Sequence, residues 1–469
     1  MPKGFIHCRE ISPREAFALA RALAGFQHLA FLDSGKDPSG LGRYSYVAGD
    51  PFGVFSVRDG KASWNNSPLD EPPFEALRMM LDRYRLESQP GLPPFQTGAI
   101  GYFSYEAARF IEKIPEMPAP EQNMPDMELG FYDVVFVHDH ADNRSVILSS
   151  GWPETTEQRR RERAEARINE MLMYFDQPTP PLNRNPPIEQ WTHDFTQKRF
   201  ETAVSETIQR ILAGDVFQAN LAQQFLTTLP AKFSSLSFYA TLREISPATF
   251  GAYLAFGEVA IASNSPERFL TLKDRHIEAR PIKGTAPRGD TPEADAALAL
   301  VLTQSVKDRA ENTMIVDLLR NDLSRVADPF SVKVPILCGL ETYASVHHLV
   351  SVVEATLGSA HDGINLLQAA FPCGSITGAP KIKAMEIIGA LERVPRGVYC
   401  GSIGWLGFDG NMDLSVAIRT VTFREGKAAF HAGGGITALS HPQDEYQETL
   451  VKAERIFSAF RRPDGEGEA

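Results

Sequence analysis

An α+β fold built on antiparallel sheet is what this 469-residue sequence predicts, and three features predict it. Paired β-rich runs are joined by the two-residue turns Gly257-Glu258 and Asp409-Gly410, which suit hairpins. Helical patterns fall between the hairpins without the regular strand–helix alternation of a doubly wound parallel sheet. Hydrophobic residues form 43% of the chain and charged residues 23%, enough apolar side chain for a large core.

The elements follow in chain order. FYDVVFVHD and RSVILSS read as strands around the polar turn Ala141-Asp142-Asn143. A helix comes next, with Ala164, Ile168, Leu172 and Phe175 on one stripe and the basic run Arg159 to Arg161 expected on its solvated face. The prolines between Asp176 and Gln190 forbid regular hydrogen bonding, which suggests an N-terminal part (1–175), a linker (176–192) and a larger C-terminal part (193–463). Phe200, Val204, Ile208 and Leu212 then stripe a helix that stops at Gly214. FGAYLAF and VAIAS flank the first hairpin turn; GSIGWLGF and MDLSVAIRTVTF flank the second. Further helices are predicted over Ala310–Leu323, Pro380–Glu392 and Asp444–Phe460, with no internal repeat at solenoid spacing.

Charge and cysteine usage narrow the function classes. Lys and Arg number 47 against 59 Asp and Glu, and the net charge of −12 speaks against a general nucleic-acid or anionic-membrane surface. Cys8, Cys338, Cys373 and Cys400 lie far apart without C-x-x-C spacing, so neither a zinc knuckle nor a disulfide framework is expected and a reducing compartment fits. MPKGFIHCREISPREAF has charges and prolines where a signal peptide needs an apolar stretch, and no later run has the length of a membrane span. A cytoplasmic protein is the expectation.

Glu311 falls amid the apolar stripe of Met314, Ile315 and Leu318, so it points inward and needs either a metal or a basic partner. Glu448 and Lys452 form an i,i+4 pair, ordinarily a weak surface contact. Asp308 with Glu311, and Glu445 with Glu448, are i,i+3 pairs able to face one site from two helices, and such all-oxygen ligation suits Mg²⁺. Gly433 to Gly435 follow the strand AAFHA and offer backbone N–H groups to an anion, or else form a bulge or tight turn. Arg419 lies in the predicted strand LSVAIRTV, where a buried guanidinium calls for a carboxylate partner. Lys283 ends a strand before Gly284, from which an amine could project into a cleft. Of His347 and His348, adjacent on a strand, at most one faces any single site. The loop from Gly374 to Lys381 has the wrong spacing for a nucleotide phosphate loop, since Ala379 and Pro380 separate the second glycine from the lysine.

GDVFQANLAQQF, SPERFL, PIKGTAPRG, KDRAENTMIVDLLRNDL, FPCGSITGAPK, YCGSIGW, VAIRTV and GGGITALSHPQDEYQETLVKAE occur in that order between Gly214 and Glu454. Together they resemble the chorismate-utilising enzymes, the family of anthranilate, aminodeoxychorismate, isochorismate and salicylate synthases. The resemblance implies a large two-sheet antiparallel β-sandwich flanked by helices, with the chorismate-binding catalytic part after residue 193. It implies Mg²⁺ held by Glu311 and Glu448. Arg419, Tyr399, Lys452 and the backbone of Gly433, Gly434 and Gly435 would take the carboxylates of chorismate, with Gly284 and Thr285 beside the ring.

Within the family, PIAGT typifies the branch that makes anthranilate, and PIKGT the aminodeoxychorismate branch, which uses a covalent lysine intermediate. This chain has PIKGT. The resemblance therefore implies Lys283 as nucleophile at ring C2, Glu267 as general acid for the C4 hydroxyl, and His348 in support. Ammonia would come from a separate glutamine amidotransferase subunit, because no second domain with a glutaminase pattern is found. Ser34, Arg43, Tyr44 and Phe250 resemble the family's tryptophan pocket, with Gly251 where some relatives place a contacting side chain. Three other readings remain to be weighed: an anthranilate-forming enzyme, a nucleotide-dependent enzyme using the Gly374–Lys381 loop, and a non-catalytic aromatic amino-acid sensor.

Overall fold

The computed structural model describes residues 5–34, 40–114, 124–343 and 346–462; Gly35 of FLDSG and the bound at residue 463 lie outside them. Two 12-stranded sheets form the body. The first runs His7–Ile11, Arg144–Ser149, Val134–Asp139, Tyr44–Ala48 and Leu29–Asp33 from the N-terminal part. It continues without a break through Phe250–Phe256, Val259–Ser265, Thr420–Arg424, Lys427–Ile436 and Gln218–Thr228. The second sheet joins the parts in the same way, where Ser402–Gly407 pairs antiparallel with Gly98–Phe103. Every strand pairing is antiparallel, in agreement with the hairpin signals.

The main core lies between the inner faces of the sheets and includes Phe55, Ile100, Tyr102, Phe131, Leu254, Ile277 and Leu414. A second cluster fills the outer face of the first sheet, where Phe225 and Phe430 of the strands pack with Phe238 of the helix Ser235–Ile245 and with Ile456 and Phe460 of the helix Pro442–Arg461. Burying such side chains stabilises the fold by about 1.5–3 kcal/mol each. The helix Val306–Ser324 packs across Ile282–Pro287 and Val346–Thr356 of the second sheet. Among the described residues, no helix is long and apolar enough to cross a membrane.

Three local expectations are corrected. Arg160 is buried, not solvated: its guanidinium stacks 4.1 Å from the Trp152 ring and donates to the Ser150 carbonyl at 2.9 Å. The run MDLSVAIRTVTF is two strands, Met412–Val416 in the second sheet and Thr420–Arg424 in the first. Arg419 therefore sits in the crossover between sheets, with φ +51°, and not within a strand. Gly433 to Gly435 do not follow a strand as a turn but lie inside Lys427–Ile436, in register with Ala222, Leu221 and Asn220. Side chains are excluded there, because a Cβ on Gly433 would come 2.2 Å from the Leu221 carbonyl oxygen. Other expectations match: the helix Gln197–Leu212 is followed by Gly214 at φ +86°, and both hairpins form over their predicted turns.

Candidate active site

The two sheets, the helix Val306–Ser324 and the helix Pro442–Arg461 bring most of the candidate residues together. Lys283 enters from the second sheet, on an irregular strand whose register with Val346–Thr356 shifts between Ile282 and Thr285. Gly284 makes that irregularity possible, with φ +88° and Asp308 crowding the position of a Cβ at 2.9 Å. Lys283 is partly exposed and, among the described residues, makes neither an ion pair nor a side-chain hydrogen bond. Burial pulls its pKa below the usual lysine range, with the charges of Glu311 and Glu267 acting against that shift.

Glu267 is 4% exposed and accepts a hydrogen bond from Ser375 Oγ at 2.7 Å. Burial pushes its carboxyl upward, while Ser375 and the Lys283 charge hold it down. Glu267 thus retains a proton to higher pH than an ordinary glutamate, which is what a general acid requires. His348 is buried and lowered by that burial to about 4, so its imidazole is neutral; Nδ1 lies 2.9 Å from Thr285 Oγ1. Its neighbour His347 points the other way, to Asp295 at 2.9 Å. Thr285 is exposed and Tyr399 buried, the latter stacked on His431 at 5.2 Å.

The acidic residues converge from two helices. Glu311 Oε1 is buried without a hydrogen-bond partner among the described residues. Burial raises the pKa of Glu311, and the nearby charge of Glu445 adds to the effect. Across the gap, Glu448 Oε1 and Glu445 Oε2 stand 3.1 and 3.3 Å from where a Cβ on Gly434 would be. Burial would raise Glu448 as well, but Lys452, with the charges of Lys307 and Lys283, holds it below the usual range; the Glu448–Lys452 contact is 2.6 Å. Lys452 also donates to the Gly433 carbonyl at 2.9 Å, which ties the C-terminal helix to the glycine strand.

An orphaned buried carboxylate oxygen, all-oxygen donors and a glycine floor fit Mg²⁺. Among the described residues, no group of three or more His, Cys, Asp or Glu side chains is disposed to hold a metal ion by itself. Water and substrate oxygens would complete such a shell, as Mg²⁺ ordinarily requires.

Arg419 departs from expectation a second time. No carboxylate of the described residues pairs with it, and burial together with Arg455 lowers its pKa. An unpaired, largely desolvated guanidinium is ready to donate to a ligand carboxylate. Substituting Arg419→Met should raise KM for an anionic substrate by about 10–100-fold, the worth of a charge-assisted hydrogen bond. The same change should leave melting unchanged or raise it by about 1–3 °C, since it removes an uncompensated charge. A drop in melting temperature with unchanged KM would refute this assignment.

Ser375, the hydrogen-bond partner of Glu267, is not singled out by the sequence: its loop is read there against a phosphate loop and as the motif FPCGSITGAPK, and neither reading points from the serine to a carboxylate. That loop's lysine is committed elsewhere: Lys381 Nζ pairs with Asp322 at 2.7 Å and with the Ala370 carbonyl at 2.6 Å. The nucleotide reading therefore has no lysine to offer a phosphate. The other candidate cluster stands apart. Ser34, Arg43, Tyr44, Phe250 and Gly251 line a cavity of about 420 Å³ with Arg268 and Asp413, although Arg43 is paired with Asp139 at 2.6 Å.

A folded sandwich with convergent carboxylates, an unpaired arginine and a partly exposed, unpaired lysine defines an enzyme for a small polyanionic substrate. The chain belongs to the chorismate binding enzyme family, whose model matches residues 30–458. It is 38% identical over 432 residues to aminodeoxychorismate synthase component 1 of Salmonella typhimurium, covering 91% of each chain. To anthranilate synthase component 1 of Pseudomonas aeruginosa it is 37% identical over 456 residues, 93% of this chain and 91% of that one. The crystal structure of anthranilate synthase component I from Streptococcus pneumoniae superposes with a TM-score of 0.80 at 31% identity, covering 88% of this chain and 92% of that one. Aminodeoxychorismate synthase component 1 of Klebsiella aerogenes is 40% identical over 387 residues, 82% of each chain, against 37% for the Pseudomonas anthranilate synthase, so identity leans to the first name and particular residues sharpen the choice.

Proposed function

We propose that this chain is the chorismate-aminating component of an aminodeoxychorismate synthase, which converts chorismate and ammonia to 4-amino-4-deoxychorismate for p-aminobenzoate and folate synthesis. The observation that carries the choice over anthranilate formation is Lys283, unpaired beside Glu267 and Glu311. A non-catalytic sensor would have no use for that arrangement.

As the free amine, Lys283 Nζ attacks ring C2. Both ring double bonds shift by one position, and the C4 hydroxyl leaves as water with the proton of Glu267. The proton lost from Nζ restores Glu267. Ammonia then adds at C4, the double bonds shift back, and the C2–Nζ bond breaks, the proton released by the new C4 nitrogen passing to Nζ to regenerate the amine. Hydroxyl and ammonia have exchanged for an amino group and water, and the enolpyruvyl group is retained.

Arg419, Tyr399, Lys452 and the N–H groups of Gly433 to Gly435 receive the substrate carboxylates, with Gly284 and Thr285 flanking the ring. Neutral His348 stands near the leaving hydroxyl. Glu311 and Glu448 would hold Mg²⁺, which when bound supplies positive charge for a ring carboxylate. The ammonia comes from a separate glutamine amidotransferase subunit, in keeping with the "component 1" names of the relatives. The reducing environment that four free cysteines suit is the cytoplasm.

Mass identification of the product made from chorismate, ammonium and Mg²⁺ tests the proposal. 4-Amino-4-deoxychorismate is expected; anthranilate as the main product would transfer the chain to the other branch. The cavity at Ser34 is read as a tryptophan pocket, and calorimetry with L-tryptophan should give a binding heat that Ser34→Ala weakens about tenfold. No heat would leave Ser34, Arg43, Tyr44 and Phe250 as packing residues.

A further inference from the structure

Arg396 is the most enclosed charge around the site, and no step above uses it. Its side chain is 0% exposed, as against 3% for its partner Glu392. Nε and Nη2 donate to the two Glu392 oxygens at 2.9 and 2.7 Å. Nη1 donates to the Ile376 carbonyl at 3.1 Å, and Nη2 also to the Asn220 carbonyl at 2.9 Å. The guanidinium lies 4.6 Å from the Tyr105 ring centre and 5.9 Å from that of Tyr399. Glu392 in turn accepts the Ala222 N–H at 3.0 Å, and Glu106 accepts the backbone N–H groups of Arg396 and Gly397.

These contacts join three segments that each carry a working part. Ile376 belongs to the turn Gly374–Ile376, whose Ser375 holds Glu267. Asn220 and Ala222 are the register partners of Gly435 and Gly433. Tyr399 is three residues past Arg396 in the same segment, and its N–H returns to the Arg396 carbonyl at 3.2 Å. We propose that Arg396, braced by Glu392, is a positioning residue that locks the Ser375 turn, the glycine strand and Tyr399 into one catalytic register. The proposal rests on the assignment of Glu267 and Tyr399 to the active site.

The physical reason is geometric. A buried ion pair must overcome a desolvation cost that apolar side chains of the same volume would avoid, so stability by itself is a weak reason for placing one here. A planar guanidinium offers what no apolar group can, a rigid fork able to fix three carbonyl or carboxylate groups at set angles. Lysine keeps the charge but loses the fork. Displacing a reacting group by about 1 Å costs on the order of 100-fold in rate, so slack at this junction should be visible in turnover.

The test compares wild type with Arg396→Lys and Glu392→Gln, by thermal melting and by steady-state loss of chorismate with ammonium and Mg²⁺ across pH. Arg396→Lys is expected to remain folded and to lose about 10- to 100-fold in kcat. The limb of its pH profile that Glu267 sets should move upward. The charged or titratable neighbours of Glu267 are Lys283, Cys373 and Cys400. The Ser375 hydrogen bond favours the carboxylate, so slackening it lets Glu267 keep its proton to higher pH. Glu392→Gln, nearly isosteric, should reproduce the shift in smaller degree and serves as the readout if Arg396→Lys does not fold. Wild-type kcat in either folded variant, or a fall in kcat with an unmoved profile, would overturn the proposal. Chorismate loss is counted whatever the product, so anthranilate from the wild type would end the functional proposal and leave this one standing.

Discussion

Lys283→Ala should lower formation of 4-amino-4-deoxychorismate by on the order of 10³-fold or more, with the fold intact. The side chain is partly exposed and unpaired among the described residues, so its removal leaves no buried partner stranded. Desolvation shifts its equilibrium toward the free amine, whereas Glu267 and Glu311 favour the ammonium; activity should accordingly pass through a maximum with pH, because it needs Lys283 as the free amine and Glu267 with its proton. When chorismate is supplied without ammonia, intact-protein mass spectrometry should show a substrate-dependent adduct on the wild type and none on Lys283→Ala. The variant should also leave C2 open, so that ammonia added there gives anthranilate-type product. A wild type that never carries the adduct, yet makes 4-amino-4-deoxychorismate at full rate, would remove Lys283 from the mechanism.

Glu311→Gln and Glu448→Gln should each lower turnover by about 10²- to 10³-fold at fixed Mg²⁺. The two variants should differ in stability. Glu311 brings an unpartnered buried oxygen and a raised pKa, so an amide there removes a desolvated charge; Glu448 is held by Lys452, and its loss frees that lysine. Melting should be level or higher for Glu311→Gln and slightly lower for Glu448→Gln. Calorimetric titration with Mg²⁺ in the presence of chorismate gives a readout separate from activity. Undiminished Mg²⁺ affinity in both variants would sink the metal assignment.

The sequence announced its sheets because hairpins are local: Gly257-Glu258 and Asp409-Gly410 specify turns that need nothing from the rest of the chain. It also announced the inward face of Glu311, since helical periodicity places a residue on a face wherever the helix later packs. What it concealed was decided at long range. Nothing in LSVAIRTV says that the chain leaves one sheet and enters the other at Arg419, because both strands are apolar and only the partners differ. Arg160 looked solvated among basic neighbours, yet Trp152 and the Ser150 carbonyl, brought up by tertiary packing, bury it. Ser375 and Arg396 were invisible for the same reason. Their partners Glu267 and Ile376 are far away in sequence or offer only a backbone carbonyl, which no residue type reveals.

That both sheets are completed by strands from opposite ends of the chain bears on how the protein is made. Gly98–Phe103 waits for Ser402–Gly407, about 300 residues later, and Leu29–Asp33 waits for Phe250–Phe256. At ribosomal rates of about 5–20 residues per second, the first of these edges stays open for roughly 15–60 s. An apolar strand edge exposed for that long can pair with a neighbouring nascent chain. Nascent protein should therefore depend on chaperones until synthesis nears its end, and the N-terminal 175 residues expressed without the remainder should aggregate.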